Sequence, residues 1–117
     1  MNHSEFEIVI GETLERLPEW VRAALHNIDI LVLEEADEQL DPEGQDMLGL
    51  YVGLPFPERG ANHAGELPDV IYIFRRPHLK LGLAPHELRD EIAKTLIHEI
   101  AHYFGIDDDH LDSIGWG

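Results

Sequence analysis

The chain of 117 residues contains no cysteine. Disulfides and thiolate metal ligands are thereby excluded, and cysteine usage says nothing of the redox compartment. Basic residues are scarce. Eight Lys and Arg stand against 24 Asp and Glu, for a formal net charge of −16. A phosphate backbone or an anionic membrane surface would repel such a chain, so neither nucleic acid nor a membrane is expected as its main partner. The same charge suits a soluble protein that attracts cations. No apolar run approaches the ~18–20 residues that span a bilayer. Residues 1–7 carry neither a basic stretch nor an apolar core segment, so no signal peptide is expected and a cytoplasmic address is the default.

What is present is a hydrophobic share of 44%, enough to build a real core. The length fits one domain over 1–117 and leaves no room for two. Eight histidines are a high share for this length. A metal or proton-transfer site would be built from them.

Hydrophobic spacing divides the chain into elements. Ser4 and Glu7 stand at capping-box spacing, and Phe6, Val9, Ile10, Thr13, Leu14 and Leu17 recur at helical intervals, which predicts a helix over about 5–16. Pro18 suits a helical first turn. Trp20, Val21, Ala24 and Leu25 give a second helix, over about 18–26, its apolar face. Residues 28–33 are apolar and β-branched and read as a buried strand. Residues 34–46 hold seven acids and no base and read as a solvated loop or short polar helix; the alternating ligands of a calcium loop are absent. Residues 48–54 form a strand weakened by Gly49 and Gly53, fitting a sheet edge, and Pro55-Phe56-Pro57 ends it. Residues 58–68 carry turn chemistry. The run Val70, Ile71, Tyr72, Ile73, Phe74 is apolar on both faces, so the strand over 69–75 belongs at the centre of the sheet, with Pro77 as its stop. Pro85 opens the longest helix, over 85–104. Leu88, Ile92, Ala93, Leu96, Ile97, Ile100, Ala101 and Phe104 wrap most of it, so it is covered on several sides; Gly105 is its stop, and a short helix over about 108–114 follows. The architecture expected is α+β, a small mixed sheet packed against one long helix.

That helix carries the informative residues: His98-Glu99-Ile100-Ala101-His102. Histidines four apart lie on one helix face, about 40° apart around the axis. Their imidazoles can converge on one ion at ~2.0–2.1 Å. The Glu99 carboxylate points to one side of such an ion and can reach a water bound to it, the placement of a general base. A catalytic zinc site needs a third protein ligand and an open fourth position. Gly105 supplies the turn that brings the chain back, and Asp108 follows three residues later. With this composition the H-E-x-x-H pattern alone arises by chance about 6% of the time, and the longer pattern with Gly105 and Asp108 roughly 0.2%. Polar ligand types in so apolar a helix need a reason to be buried.

The stretch H-E-x-x-H-x-x-G-x-x-D resembles the zincin metallopeptidases, and the chain is similar to a family of small, single-domain bacterial zincin-like proteins. Gly49-Leu50-Tyr51, Pro55-Phe56-Pro57-Glu58-Arg59, the strand over 70–75 and Arg76-Pro77 share that likeness. The resemblance implies a minimal zincin-like fold and Zn²⁺ held by His98, His102 and Asp108. It further implies Glu99 as the catalytic base and a peptide or protein substrate; a monomer is expected. Metzincins usually place a third histidine at the position of Asp108 and have a methionine turn downstream. Here the methionines are Met1 and Met47, so none follows the motif.

Other readings remain beside this one. His110, five residues past Gly105, is a rival third ligand, although the motif's spacing favours Asp108. Asp107, Asp109 and Asp112 suit a solvated helix start. His3, His26 and His86 read as surface residues. His63 and His78 are candidates to donate to an oxyanion near the cleft. Tyr51, Tyr72, Arg75 and Arg76 read as sheet packing and surface pairing. A zinc-binding module without catalysis is one alternative function. A zinc-dependent endoribonuclease is another, opposed by the net charge and by the presence of Glu99. Elemental analysis of the purified protein separates the ligand sets: zinc near one equivalent is expected in the wild type and the His110→Ala variant, with loss in His98→Ala, His102→Ala and Asp108→Ala.

Overall fold

The computed structural model describes residues 1–53 and 69–106. Helix α1 (His3–Glu15) starts two residues earlier than the Ser4 spacing suggests. Asn2 is the cap. Its Oδ1 accepts from the Glu5 backbone N–H at 2.8 Å, and the Glu5 carboxylate accepts from the Asn2 N–H at 2.9 Å. Asparagine caps as well as serine does, so Asn2 and Glu5 form the reciprocal box, and Ser4 is absorbed into the first turn. The helix buries Phe6, Val9, Ile10 and Thr13. Helix α2 (Glu19–Ala24) follows Pro18 and buries Val21. Trp20, expected on its apolar face, is 68% exposed and meets only the edge of Phe104 among the described rings. A six-residue helix turns too few positions inward to bury both Trp20 and its neighbour Val21.

Three strands follow, β1 (Ile28–Leu33), β2 (Gly49–Val52) and β3 (Asp69–Phe74). Their order is β1-β3-β2, with β1 parallel and β2 antiparallel to β3, so the sheet is mixed. The central place of β3 agrees with its doubly apolar sequence, and Ile71, Ile73 and Phe74 are fully buried. Among the described residues the β2 strand occupies an edge, as its glycines suggest.

The strand ends at Phe74, three residues before Pro77, and Pro77 belongs to a helix the sequence does not announce. Helix α3 (Arg75–Leu79) begins immediately after β3, with Pro77 in its first turn. The first N–H groups of a helix have no partner within it, so a proline there loses no hydrogen bond. Helix α4 (Pro85–Tyr103) then runs nearly as expected. Glu87 accepts from the Ala84 N–H at 3.1 Å, which satisfies one donor at its start. Its end is a left-handed turn. Gly105 has φ +80°, its N–H donates to His102 O, and the Ile106 N–H donates to Ala101 O, both at 2.9 Å.

The core lies between α1, α4 and one face of the sheet. Phe6, Ile71, Ile73, Ile92 and Leu96 are wholly buried in it. Leu88, Ile92, Leu96, Ile100 and Tyr103 form the α4 stripe that packs there. Coverage on several sides holds for the second half of α4, where Thr95, Glu99 and Ala101 are also buried; its first turns are open, apart from Leu88. No helix among the described residues is long and apolar enough to cross a membrane. The expected loop over 58–68, the ends of the predicted strand at 54 and the helix over 108–114 lie outside the described residues.

A buried histidine ties these layers together. His78, on α3, is 0% exposed. Its Nδ1–H donates to Phe74 O at 2.7 Å, because a carbonyl can only accept. Its Nε2 lies 2.9 Å from the Thr95 hydroxyl of α4, and its ring meets Phe6 of α1 edge-on. Burial pushes its pKa below the ordinary 6.5; the Phe74 carbonyl and the charge of Glu91 pull weakly the other way. The unfolded chain therefore takes up this proton first as pH falls. The stability His78 contributes as a neutral ring is intact above about pH 6.5 and declines through the slightly acid range below it. His78→Gln should cost ~1–3 kcal/mol at pH 8. The difference in urea stability between wild type and variant should narrow as pH is lowered from 7.5 to 5.5; a constant difference would show that His78 is not buried as a neutral ring.

Candidate metal centre

The second half of α4 brings three chemically active side chains together. His98, Glu99 and His102 each offer one ligand atom, and these atoms lie within 4.8 Å of one another. The two imidazole rings are 4.6 Å apart, centroid to centroid, and nearly perpendicular at 81°. This follows from helix geometry, since residues four apart stack on one flank. The histidines lie beside the buried stripe and are half-buried, while Glu99 falls within it and is 6% exposed.

The Glu99 carboxylate is 3.2 Å from Nδ1 of His102. A carboxylate accepts, so the ring proton sits on Nδ1. Nε2 of His102 then carries the lone pair that metal ligation requires. Two imidazoles converging on one point, with a carboxylate beside them, suit a site for Zn²⁺ or a similar divalent cation. A carboxylate so deeply buried is costly unless charged or hydrogen-bonding partners face it. The donor set thus fits a metal on both chemical and energetic grounds. Gly105 gives the chain its reversal immediately beyond His102. Asp108 and the rival His110 lie outside the described residues, as does His63.

The structure moves His78 out of the site. Both of its ring nitrogens are engaged within the core, by Phe74 O and by Thr95, so it does not serve as an oxyanion donor. Tyr51, on β2, packs edge-on against Tyr103 of α4 at 5.8 Å, and Tyr72 stacks on Phe74. Arg75 donates to Met1 O at 2.9 Å and to the Glu34 carboxylate at 2.7 Å, and Arg76 lies within 4 Å of Glu34 and Glu35. These are the packing and pairing roles the sequence suggests. His3, His26 and His86 are exposed.

Two residues outside the H-E-x-x-H motif lie against the site. Gly49 of β2 comes so close to α4 that a Cβ there would stand 2.7 Å from Thr95 Cγ2 and 3.3 Å from Glu99 Cγ. The available sequence signal was a polar Thr95 on the buried stripe, one turn before Glu99, and a glycine inside a strand.

The profile of the zincin-like metallopeptidase family matches residues 25–116. The chain belongs to that family. The match spans every described element from β1 onward, including the sheet and the whole of α4. Among curated proteins none matches the chain at a significant level.

Proposed function

We propose that the protein is a zinc-dependent peptidase of one domain, with His98, His102 and Asp108 as metal ligands and Glu99 as general base. The observation that carries this is the Glu99 carboxylate, buried against two imidazoles on the helix that packs on the sheet edge. Family membership supports the reaction class. Bound there, zinc would polarise the scissile carbonyl and acidify the attacking water.

The remaining chemistry belongs to the chain. Glu99 takes the proton of the attacking water and delivers it to the departing amine nitrogen. Its burial strengthens that exchange, because little bulk water competes for the carboxylate. His102 holds the carboxylate in place through Nδ1–H. The substrate backbone lies along β2. The Phe74 N–H donates to Leu48 O, and Leu50 and Val52 continue that pairing with Tyr72 and Val70. Peptide groups alternate in direction along a strand, so those of Gly49 and Tyr51 face away from β3. We read this strand, an edge of the sheet among the described residues, as the place where an extended peptide would pair, which would hold its backbone without selecting a sequence.

The decisive substitution is Glu99→Gln, which keeps the shape and removes the base. Zinc content should stay near one equivalent while cleavage of fluorescein-labelled casein falls at least ~100-fold, the scale of a lost general base. Turnover within a few-fold of wild type would overturn the role of Glu99.

A further inference from the structure

The region where β2 approaches α4 contains a feature the motif does not encode. Thr95 carries two groups on one Cβ. Its Oγ1 lies 2.9 Å from both His78 Nε2 and Glu91 O. The single hydroxyl proton serves one of these at a time, and either bond holds the same rotamer. With Oγ1 anchored on that side, Cγ2 projects toward Gly49. A Cβ on Gly49 would meet this methyl at 2.7 Å, a separation carbon atoms essentially never show, and would also stand 3.0 Å from Tyr72 O. The next neighbour is Glu99 Cγ at 3.3 Å, so the stem of the proposed base rests on the same strand position.

We infer that Gly49 and Thr95 form a spacer that sets the position of Glu99 relative to the β2 edge, with His78 and the Glu91 carbonyl holding Thr95 in the required rotamer. These are positioning residues, and the inference rests on the reading of Glu99 as base and β2 as the substrate strand. The gap between helix and strand is as wide as one threonine methyl against a bare Cα. A larger residue at 49 pushes β2 from α4 or turns the Glu99 stem. A smaller one at 95 leaves the stem unsupported. His78 adds a second partner for Oγ1 in the rotamer that the Glu91 carbonyl also holds. The glycine is thus needed chiefly for close approach to α4, with the Tyr72 carbonyl of β3 adding a lesser restriction.

The test uses the full chain with Gly49→Ala, Thr95→Ser and the double variant Gly49→Ala/Thr95→Ser. Serine keeps the hydroxyl that binds His78 and removes the methyl the new Cβ would strike. Zinc content, kcat and KM on labelled casein, and the visible absorption of the protein loaded with Co²⁺ alone are measured for each. Gly49→Ala should lower kcat at least tenfold with KM within about threefold, keep zinc near one equivalent and alter the cobalt spectrum. The double variant should recover at least fivefold of the lost kcat, short of complete because Tyr72 O remains close. Thr95→Ser alone should lose a few-fold in kcat. A loss of thermal stability in Gly49→Ala with kcat and spectrum unchanged would overturn the inference, and so would a double variant no better than the single one. Should Gly49→Ala fail to fold, the double variant must fold and turn over; its failure also overturns the spacer. Should wild type cleave nothing, the peptidase reading fails separately. The cobalt spectra then decide: a change in Gly49→Ala that reverts in the double variant supports the spacer, and identical spectra sink it.

Discussion

A carboxylate held in the buried stripe of a helix is the constraint around which this structure is arranged. Glu99 sits where an apolar residue would pack, between Leu96 and Tyr103 on the face of α4 that meets the sheet. Such a group is tolerated only with polar partners close by. His102 supplies one through Nδ1–H, and its ring is in turn placed by the helical repeat beside His98. The helix must therefore be fixed in both rotation and distance. A turn of ~20° about its axis would carry Glu99 toward the core or toward solvent and move both histidines with it. The core contacts of Ile92, Leu96 and Ile100 set that rotation, and the Schellman-type turn at Gly105 ends the helix immediately past the second histidine.

Features encoded by nearby residues were legible in the sequence, and features encoded by distant ones were not. The pair His98 and His102 and the neighbour Glu99 follow from the helical period alone, so a spacing argument reaches them. The central place of β3 follows from its own two apolar faces, and the edge place of β2 from its own glycines. The cap of α1 was misread because Ser4 and Glu7 compete with Asn2 and Glu5 on nearly equal terms, and propensity does not choose between them. The helix α3 was missed because Pro77 is as compatible with a helical first turn as with a break. His78 looked like a surface or cleft residue because its partners, Phe6 and Thr95, lie 72 positions before it and 17 after it. The family profile spans the sheet and α4, and the local motif lies within it.

The net charge bears on the site through its sign. A surface carrying −16 raises the local concentration of divalent cations and disfavours polyanionic substrates. The seven acids of residues 34–46 do not all remain unanswered, since Glu34, Glu35 and Asp46 face Arg75, Arg76 and Lys80. Three of the eight basic side chains thus fasten the stretch after β1 to α3 and its C-cap. Such exposed pairs contribute little stability each and are weakened by salt. Their placement nonetheless fastens the loop at the end of β1 to the element that holds His78.

That arrangement makes α3 more than a connector. It leaves β3 without a loop, turns His78 inward within one helical turn and delivers an imidazole to the middle of α4. An apolar residue there would fill the space between Phe6 and the helix equally well, and burial of hydrocarbon is the stronger stabiliser. It would leave Phe74 O without the ring N–H and the Thr95 hydroxyl with the Glu91 carbonyl as its partner. A ring with two nitrogens answers both at once, and it does so in opposite directions, along a line from the end of β3 to α4. The sheet thereby positions the helix through directed bonds as well as through packing, and directed bonds discriminate between rotamers that packing alone accepts. In a chain of 117 residues, with few layers among the described residues to restrain any side chain, that discrimination is what a buried carboxylate on a closely packed helix requires.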